Sequence, residues 1–196
     1  MTGETHTEKS FPANRVASGP FDDSEISMVR HYVDLGALKI TPREGLNIRL
    51  EVEEGTGRVV AVALDFEGST LQVQPFSASR STGMWHDIRA QIADQIAKQG
   101  GTVTEVTGVL GPELLCQVPA IADGKQILQD ARFIGVDGPR WFLRGVMAGP
   151  AATNAEQGKQ MIELFRDLVI ARGQSPMPPG ELLPMHMPAQ ASGADV

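Results

Sequence analysis

The residues best suited to binding chemistry lie in one segment of the sequence, between positions 132 and 146. They are three arginines and two aromatic residues: Arg132, Arg140, Trp141, Phe142 and Arg144. A turn at 137–139 makes this segment a β-hairpin, and a three-residue loop places Arg132 opposite Arg144 on the face that carries Phe142. A two-residue loop would remove that pairing.

Two guanidinium groups that face each other repel unless an anion or a carboxylate lies between them. The hairpin therefore predicts one of two arrangements. In the first, the arginines line a site for an anion or an acidic partner beside Phe142. In the second, a carboxylate such as Glu105 or Glu113 neutralises them and the aromatic residues pack the core.

Other chemistry is sparse in the sequence. It contains no phosphate-binding loop, no nucleophile elbow and no pair of cysteines. His86 is followed by Asp87 at the start of a predicted helix, where consecutive side chains point in different directions, so we expect a surface histidine. Cys116 lies in an apolar strand and is expected to pack rather than react. We expect no metal and no cofactor, and the sequence leans against an enzyme without deciding the question.

Charge and hydropathy disfavour several classes of function. The net charge of −7 disfavours broad contact with nucleic acid, although the hairpin aromatics are suited to stacking on single strands. No apolar run approaches the length of about 18 residues that a membrane span requires. The first residues lack the pattern of a signal peptide, so we expect a cytoplasmic location.

Composition divides the chain into three parts. Residues 1–28 are polar and predict a disordered leader. Residues 174–196 contain five prolines and predict a proline-rich tail that exposes methionine and leucine side chains or packs back on its own domain. Residues 29–173 have regular apolar periodicity and predict a single domain.

Within this domain the apolar period changes from two to 3.6 and back. Strands are predicted over 47–53, 58–64 and 70–76, with Pro75 at a strand end or a sheet edge. A less regular strand over 32–40 is interrupted by Gly36. Further strands are predicted over 102–107 and 113–118, ahead of the arginine hairpin.

Two amphipathic helices complete the prediction. Trp85, Ile88, Ile92 and Ile96 share one helical face, after the N-cap candidates Ser81 and Thr82. A capping box at 153–156, with Thr153 as the cap, starts a second helix that buries Phe165 and Leu168 and ends at Gly173. The fold class is α+β, a mostly antiparallel sheet of about seven or eight strands packed by the two helices.

The hairpin segment 132–146 resembles the signature of an actinobacterial family, domain of unknown function 3710. Residues 19–22 and 33–36, and the stretch 76–85, resemble the same family, so the resemblance extends from about 19 to 188. It implies no activity. The order of elements also resembles the Mog1/PsbP-like α/β sandwiches, a group whose members mostly bind proteins or ligands, although a shared fold does not fix a function.

Two functions follow as hypotheses. The first is a non-enzymatic, cytoplasmic interaction domain that presents the arginine hairpin and the proline-rich tail to a protein partner or ligand. The alternative is a small-molecule enzyme or binder that holds an anionic metabolite between sheet and helix, with Arg132, Arg140 and Arg144 on the anion. The oligomeric state is not predicted.

Overall fold

The computed structural model describes residues 7–27 and 30–189 of the 196-residue chain. Within these ranges the chain forms three α-helices and eleven β-strands. The helices are α1 (Arg15–Ser18), α2 (Trp85–Lys98) and α3 (Ala155–Arg166). The strands are β1 (Phe21–Asp22), β2 (Val33–Asp34), β3 (Leu38–Ile40), β4 (Asn47–Val52), β5 (Val59–Phe66), β6 (Ser69–Ser77), β7 (Thr102–Gly108), β8 (Gly111–Ala122), β9 (Lys125–Asp137), β10 (Trp141–Ala148) and β11 (Val169–Ile170).

Seven strands form one antiparallel sheet in the order β4-β5-β6-β10-β9-β8-β7. This confirms the predicted α+β class and the mostly antiparallel sheet. The strands β4, β5 and β6 form the predicted meander, in which β5 is buried on both faces over residues 61–64. In β6, every second residue from Ser69 to Ser77 is buried.

Pro75 lies inside β6, opposite Leu143 of β10, and not at the predicted strand end or sheet edge. The ladder between β5 and β6 extends only to Val73, so Pro75 withdraws no donor from it. On that side the Pro75 carbonyl accepts a hydrogen bond from the Leu183 N–H instead, at 2.9 Å.

A second sheet, which the sequence analysis did not predict, contains four short strands in the order β1-β11-β3-β2. Gly36, at φ +90°, divides the predicted strand over 32–40 into β2 and β3. The strand β11 lies in the segment that was predicted as the end of the last helix. As a result α3 ends at Arg166, not at Gly173.

The large sheet has an apolar core on each face. The small sheet and α3 cover one face, where Leu38, Leu143 and Phe165 are fully buried. The helix α2 packs on the other face against β7, β8 and β9, with Trp85 and Phe142 at the centre of the contact. The molecule is therefore layered, with the large sheet in the middle.

The predicted core residues on the helices divide into two groups. Trp85, Ile96, Phe165 and Leu168 are buried as predicted, each with 5% or less of its surface exposed. Ile88 and Ile92 pack against the core beneath α2 but are only half-buried. The helix α2 thus leaves part of its apolar stripe uncovered.

The two helix starts differ in how they are capped. For α3, the Asn154 side chain accepts from the backbone N–H groups of Glu156 and Gln157, so Asn154 is the cap and not Thr153. For α2, neither Ser81 nor Thr82 is the cap, since the helix starts after Met84 with no side-chain cap of its own.

The carboxylate of Asp137, at the end of β9, takes the place of that cap. Its oxygens accept from the backbone N–H of Met84 at 2.8 Å and of Trp85 at 3.4 Å. They also accept from the N–H of Ser10 at 2.9 Å. Burial raises the pKa of Asp137, and these hydrogen bonds partly offset the rise. One buried carboxylate therefore ties the hairpin to α2 and to the N-terminal segment.

The N-terminal residues 7–27 lie against the domain. The Lys9 ammonium donates to the carbonyls of Gly138 and Pro139, and Arg15 is buried and paired with Glu25. These polar side chains bond to groups of the domain that the sequence does not show to be near, and the disordered leader over 1–28 stays a prediction. Residues 1–6 and 28 lie outside the described ranges, and the predicted domain boundaries at 29 and 173 stay a prediction.

The proline-rich residues 174–189 also pack on the domain. Leu183 is fully buried and Met185 is 8% exposed. The Leu183 N–H bonds to β6, and the His186 N–H donates to the carbonyl of Leu35 in the β2–β3 turn, so the segment joins the two sheets. Residues 190–196 lie outside the described ranges.

The cap function of Asp137 leads to a first prediction. Asp137→Ala leaves three backbone N–H groups without their acceptor and should lower the free energy of unfolding by about 2 kcal/mol or more. Asp137→Asn keeps one acceptor oxygen and should cost less. Urea unfolding measures both.

The matched control is Asp94→Ala on the exposed side of α2, where a change within about 0.5 kcal/mol is expected. Equal midpoints for Asp137→Ala and Asp94→Ala would show that Asp137 has no such function.

Candidate functional site

The hairpin of β9 and β10 has a different register from the predicted one. Asp137 pairs with Phe142, Gly135 with Arg144, and Arg132 with Met147. Side chains alternate between the two faces of a strand, so an odd shift in register moves one strand's residues to the other face. The prediction that Arg132 and Arg144 share a face is therefore wrong: they lie on opposite faces of the sheet.

Arg132 lies on the face covered by α3 and is held by Glu113 of the neighbouring strand β8. The Arg132 guanidinium and the Glu113 carboxylate approach to 2.8 Å, and their side chains are 16% and 5% exposed. Arg132 thus has the second of the two predicted arrangements, in which a carboxylate neutralises the arginine. The other suggested carboxylate, Glu105, pairs with Arg89 of α2 at 3.0 Å.

Trp141 is fully buried on the same face as Arg132. Its indole N–H donates to the Asp22 carboxylate at 2.9 Å, and the Arg15 guanidinium lies 5.7 Å from its ring centroid. Arg140 is half-buried in the turn just before β10, and its carbonyl accepts from the Ala78 N–H. Neither residue faces the same space as Arg144.

Phe142 is fully buried on the opposite face, beneath α2. Its ring stacks with Phe76 at 6.2 Å and with Trp85 at 5.8 Å between centroids. These contacts position β6, β10 and α2 relative to one another. Phe142 is therefore enclosed by its neighbours and supports the surface next to it.

Arg144 lies beside Phe142 at the edge of α2. It donates to the Gln74 side-chain oxygen, and its guanidinium lies 5.8 Å from the Phe76 ring centroid. Its Nε is buried without a hydrogen-bond partner, and no carboxylate of residues 7–27 or 30–189 forms an ion pair with it. Burial lowers the pKa of Arg144. The side chain is a partly desolvated cation without a counter-charge from the described chain.

A groove of about 540 Å³ opens next to Arg144, between α2 and the uncovered part of the sheet. One wall is the apolar stripe of α2 that the sheet leaves half-exposed, Met84, Ile88 and Ile92. Phe76 and Arg144 of the sheet and Gly180 of the C-terminal segment also line the groove. Polar side chains of Thr82, Asp87, Gln91 and Gln95 complete the lining.

Sequence reasoning missed most of this groove. It identified Arg144 and the stripe of α2, but it assigned the whole stripe to the core and placed Arg144 with Arg132. The signal that it did not use is the width of the stripe, since Met84 extends it beyond what one sheet contact covers. No feature of the sequence indicated that Gly180 lines the groove.

The other groove and the other potentially reactive side chains offer weaker candidates for a functional site. A second groove, of about 510 Å³, lies between β8, β9 and the start of α3, but it contains Arg132 already paired with Glu113. Burial raises the pKa of the Cys116 thiol to about 11, which keeps it protonated. His86 is half-buried, with its Nδ1 3.5 Å from the Arg89 guanidinium. Within the described chain, no three histidine, cysteine or acidic side chains come together as a metal site.

The fold defines the class of protein as an α+β domain with a seven-stranded antiparallel sheet, a four-stranded sheet and a groove along one helix. Residues 19–194 match the model of the protein family of unknown function DUF3710, and the chain belongs to this family. No curated protein and no solved structure is significantly similar to the chain. No helix in the described part of the chain has the length and apolar character to cross a membrane.

The pair of Arg132 and Glu113 gives the second prediction. Arg132→Met leaves the Glu113 carboxylate buried without its partner and should lower the free energy of unfolding by about 3 kcal/mol. Adding Glu113→Leu removes the buried charge and should recover most of that loss. Urea unfolding of the single and double variants measures the difference, and a single variant as stable as the wild type would mean that the pair is not structural.

Proposed function

We propose that this protein is a ligand-binding domain and that the groove between α2 and the large sheet holds an anionic ligand with an apolar part. The proposal takes up the alternative of an anion site between sheet and helix, with one arginine in place of three. Arg132 and Arg140 are outside the groove. Arg144 is the anion contact.

The observation that carries the proposal is the state of Arg144. A guanidinium that loses water on folding usually gains a carboxylate, because an uncompensated buried charge is costly. The neighbours of the Arg144 guanidinium are the Gln74 amide oxygen and the face of the Phe76 ring. Neither carries a negative charge, so the positive charge of Arg144 stays uncompensated. An anion entering the groove would supply the missing charge through charge-assisted hydrogen bonds.

The apolar part of the ligand follows from the wall of the groove. Met84, Ile88 and Ile92 lie at successive turns of α2 and expose apolar surface toward the same space. The volume lies within the range of about 300–1,000 Å³ that is usual for small-molecule sites. A carboxylate or phosphate joined to an aliphatic chain fits both features.

The lining favours binding over a reaction. Among the described residues that line the groove there is no histidine, cysteine or lysine, and Asp87 is its one carboxylate. General acid–base or nucleophilic catalysis needs a positioned partner for such a group.

The predicted contact with a protein partner through the hairpin and the tail is less well supported. Trp141, Phe142 and Leu183 are fully buried and therefore make no contact with a partner unless the domain opens. The cytoplasmic location and the Mog1/PsbP-like assignment stay proposals.

Octanoate is a suitable probe, since it joins a carboxylate to an aliphatic chain. We expect octanoate to bind the wild-type protein in isothermal titration calorimetry and to raise its Tm by mass action. Arg144→Gln should weaken this binding at least tenfold, because it removes the charge but keeps a hydrogen-bond donor. Octanamide, which is neutral, should bind wild type and variant equally weakly.

Arg140→Gln is the matched control, because it removes the same charge from a residue just before β10 that does not line the groove. Its octanoate affinity should equal that of the wild type. Equal affinities for Arg144→Gln and the wild type, or no binding of octanoate to either, would contradict the proposal.

A further inference from the structure

The strands β8 and β9 extend beyond the rest of the sheet as a two-stranded arm, residues 118–130. The strand β7 pairs with β8 only as far as Gln117, and β10 pairs with β9 only from Ala131 onward. Between these points β8 and β9 pair only with each other, up to Ala122 and Lys125. The predicted strands ended at 118 and began again at 132, so the arm is longer than the sequence analysis indicated.

The arm exposes apolar side chains to solvent. Every residue from 121 to 130 is exposed. Ile121 is 77%, Leu128 54% and Ile127 42% exposed. A two-stranded ribbon is only marginally stable in water unless a third strand or a packed element joins it. The exposed leucine and isoleucines are where such an element would gain apolar contact.

The two edges of the arm differ in what they offer to another strand. Asp123 and Gly124, both at positive φ, form a two-residue turn, so Ala122 and Lys125 are the first hydrogen-bonded pair. Bonded and non-bonded pairs then alternate along the ladder. On the β8 edge the outward positions include Pro119, which has no N–H to donate.

On the β9 edge the outward positions are Gln126, Leu128 and Asp130. Their N–H and C=O groups point away from β8, and no strand of the described chain pairs with them. This edge therefore has three free donors and three free acceptors in a row. An edge of this kind is a template for another strand.

We propose that the β9 edge of the arm pairs with the same edge of a second copy of this chain and forms a two-fold symmetric dimer. Two copies that pair antiparallel about Ile127 place Gln126 of one opposite Leu128 of the other, so outward groups meet outward groups. Ile127 of one copy then lies opposite Ile127 of the other, and Lys125 of one lies opposite Gln129 of the other. The result is a four-stranded ribbon with β9 of each copy in the middle.

Charge supports the second copy as the occupant. The chain carries a net charge of −7, so two copies repel unless they meet at a surface of low charge. The arm carries Asp123, Lys125 and Asp130, which sum to −1. In the arrangement about Ile127 no like charges face each other, since Asp130 lies opposite Gly124 at the tip.

The test is the mass of the full chain in solution, measured by sedimentation over a dilution series. We expect the wild type to have the mass of two 21.0 kDa chains and to dissociate on dilution. Leu128→Lys places a charge at the centre of the pairing edge and should give a single chain. Gln126→Pro removes one outward N–H without breaking the β8–β9 ladder and should also give a single chain.

Ile121→Lys is the matched control, because it introduces the same charge at an exposed residue on the outer strand of the ribbon. It should remain a dimer. A wild type that sediments as one chain at every concentration would overturn the proposal, as would loss of the dimer in Ile121→Lys to the same extent as in Leu128→Lys. A single cooperative thermal unfolding transition of Leu128→Lys shows that the variant is folded.

Discussion

The fixed end of the β9–β10 hairpin is the constraint on which the rest of the structure depends. The Asp137 carboxylate accepts hydrogen bonds from the N-terminal segment and from the first residues of α2. Its backbone N–H donates to the Ser10 carbonyl, and its strand position faces Phe142. These bonds fix where the hairpin turns. The turn sets the register of β9 against β10, and the register decides which face each arginine occupies.

The electrostatics of both faces follow from that register. On the α3 face Arg132 meets Glu113, so the pair is neutral and mostly buried. On the α2 face Arg144 has Gln74 and Phe76 as neighbours, and its charge stays uncompensated within the described chain. Since α2 packs mainly over β7, β8 and β9 and reaches β10 through Trp85, a groove remains beside Arg144. The proposed anion site therefore rests on one unpaired arginine beside one incompletely covered helix.

The sequence predicts the parts of this fold that depend on local periodicity. The meander of β4 to β6 follows from the alternation of apolar residues, and the buried face of α2 follows from their 3.6-residue period. The predicted pairing of Arg132 with Arg144 was wrong because the length of the loop cannot be read from Asp137, Gly138 and Pro139 alone. A shift of the register by one residue moves every side chain of a strand to the other face of the sheet. The small sheet and the packing of residues 7–27 depend on contacts between residues more than a hundred positions apart, such as Trp141 with Asp22. Periodicity does not contain that information.

A crystal structure of the protein with octanoate tests the central claim most directly, since it shows which cation holds the anion. The account predicts the octanoate carboxylate within hydrogen-bond distance of the Arg144 guanidinium, with the aliphatic chain along Met84, Ile88 and Ile92. Octanoate bound at Arg132 or Arg140 with an empty groove at Arg144 would contradict it.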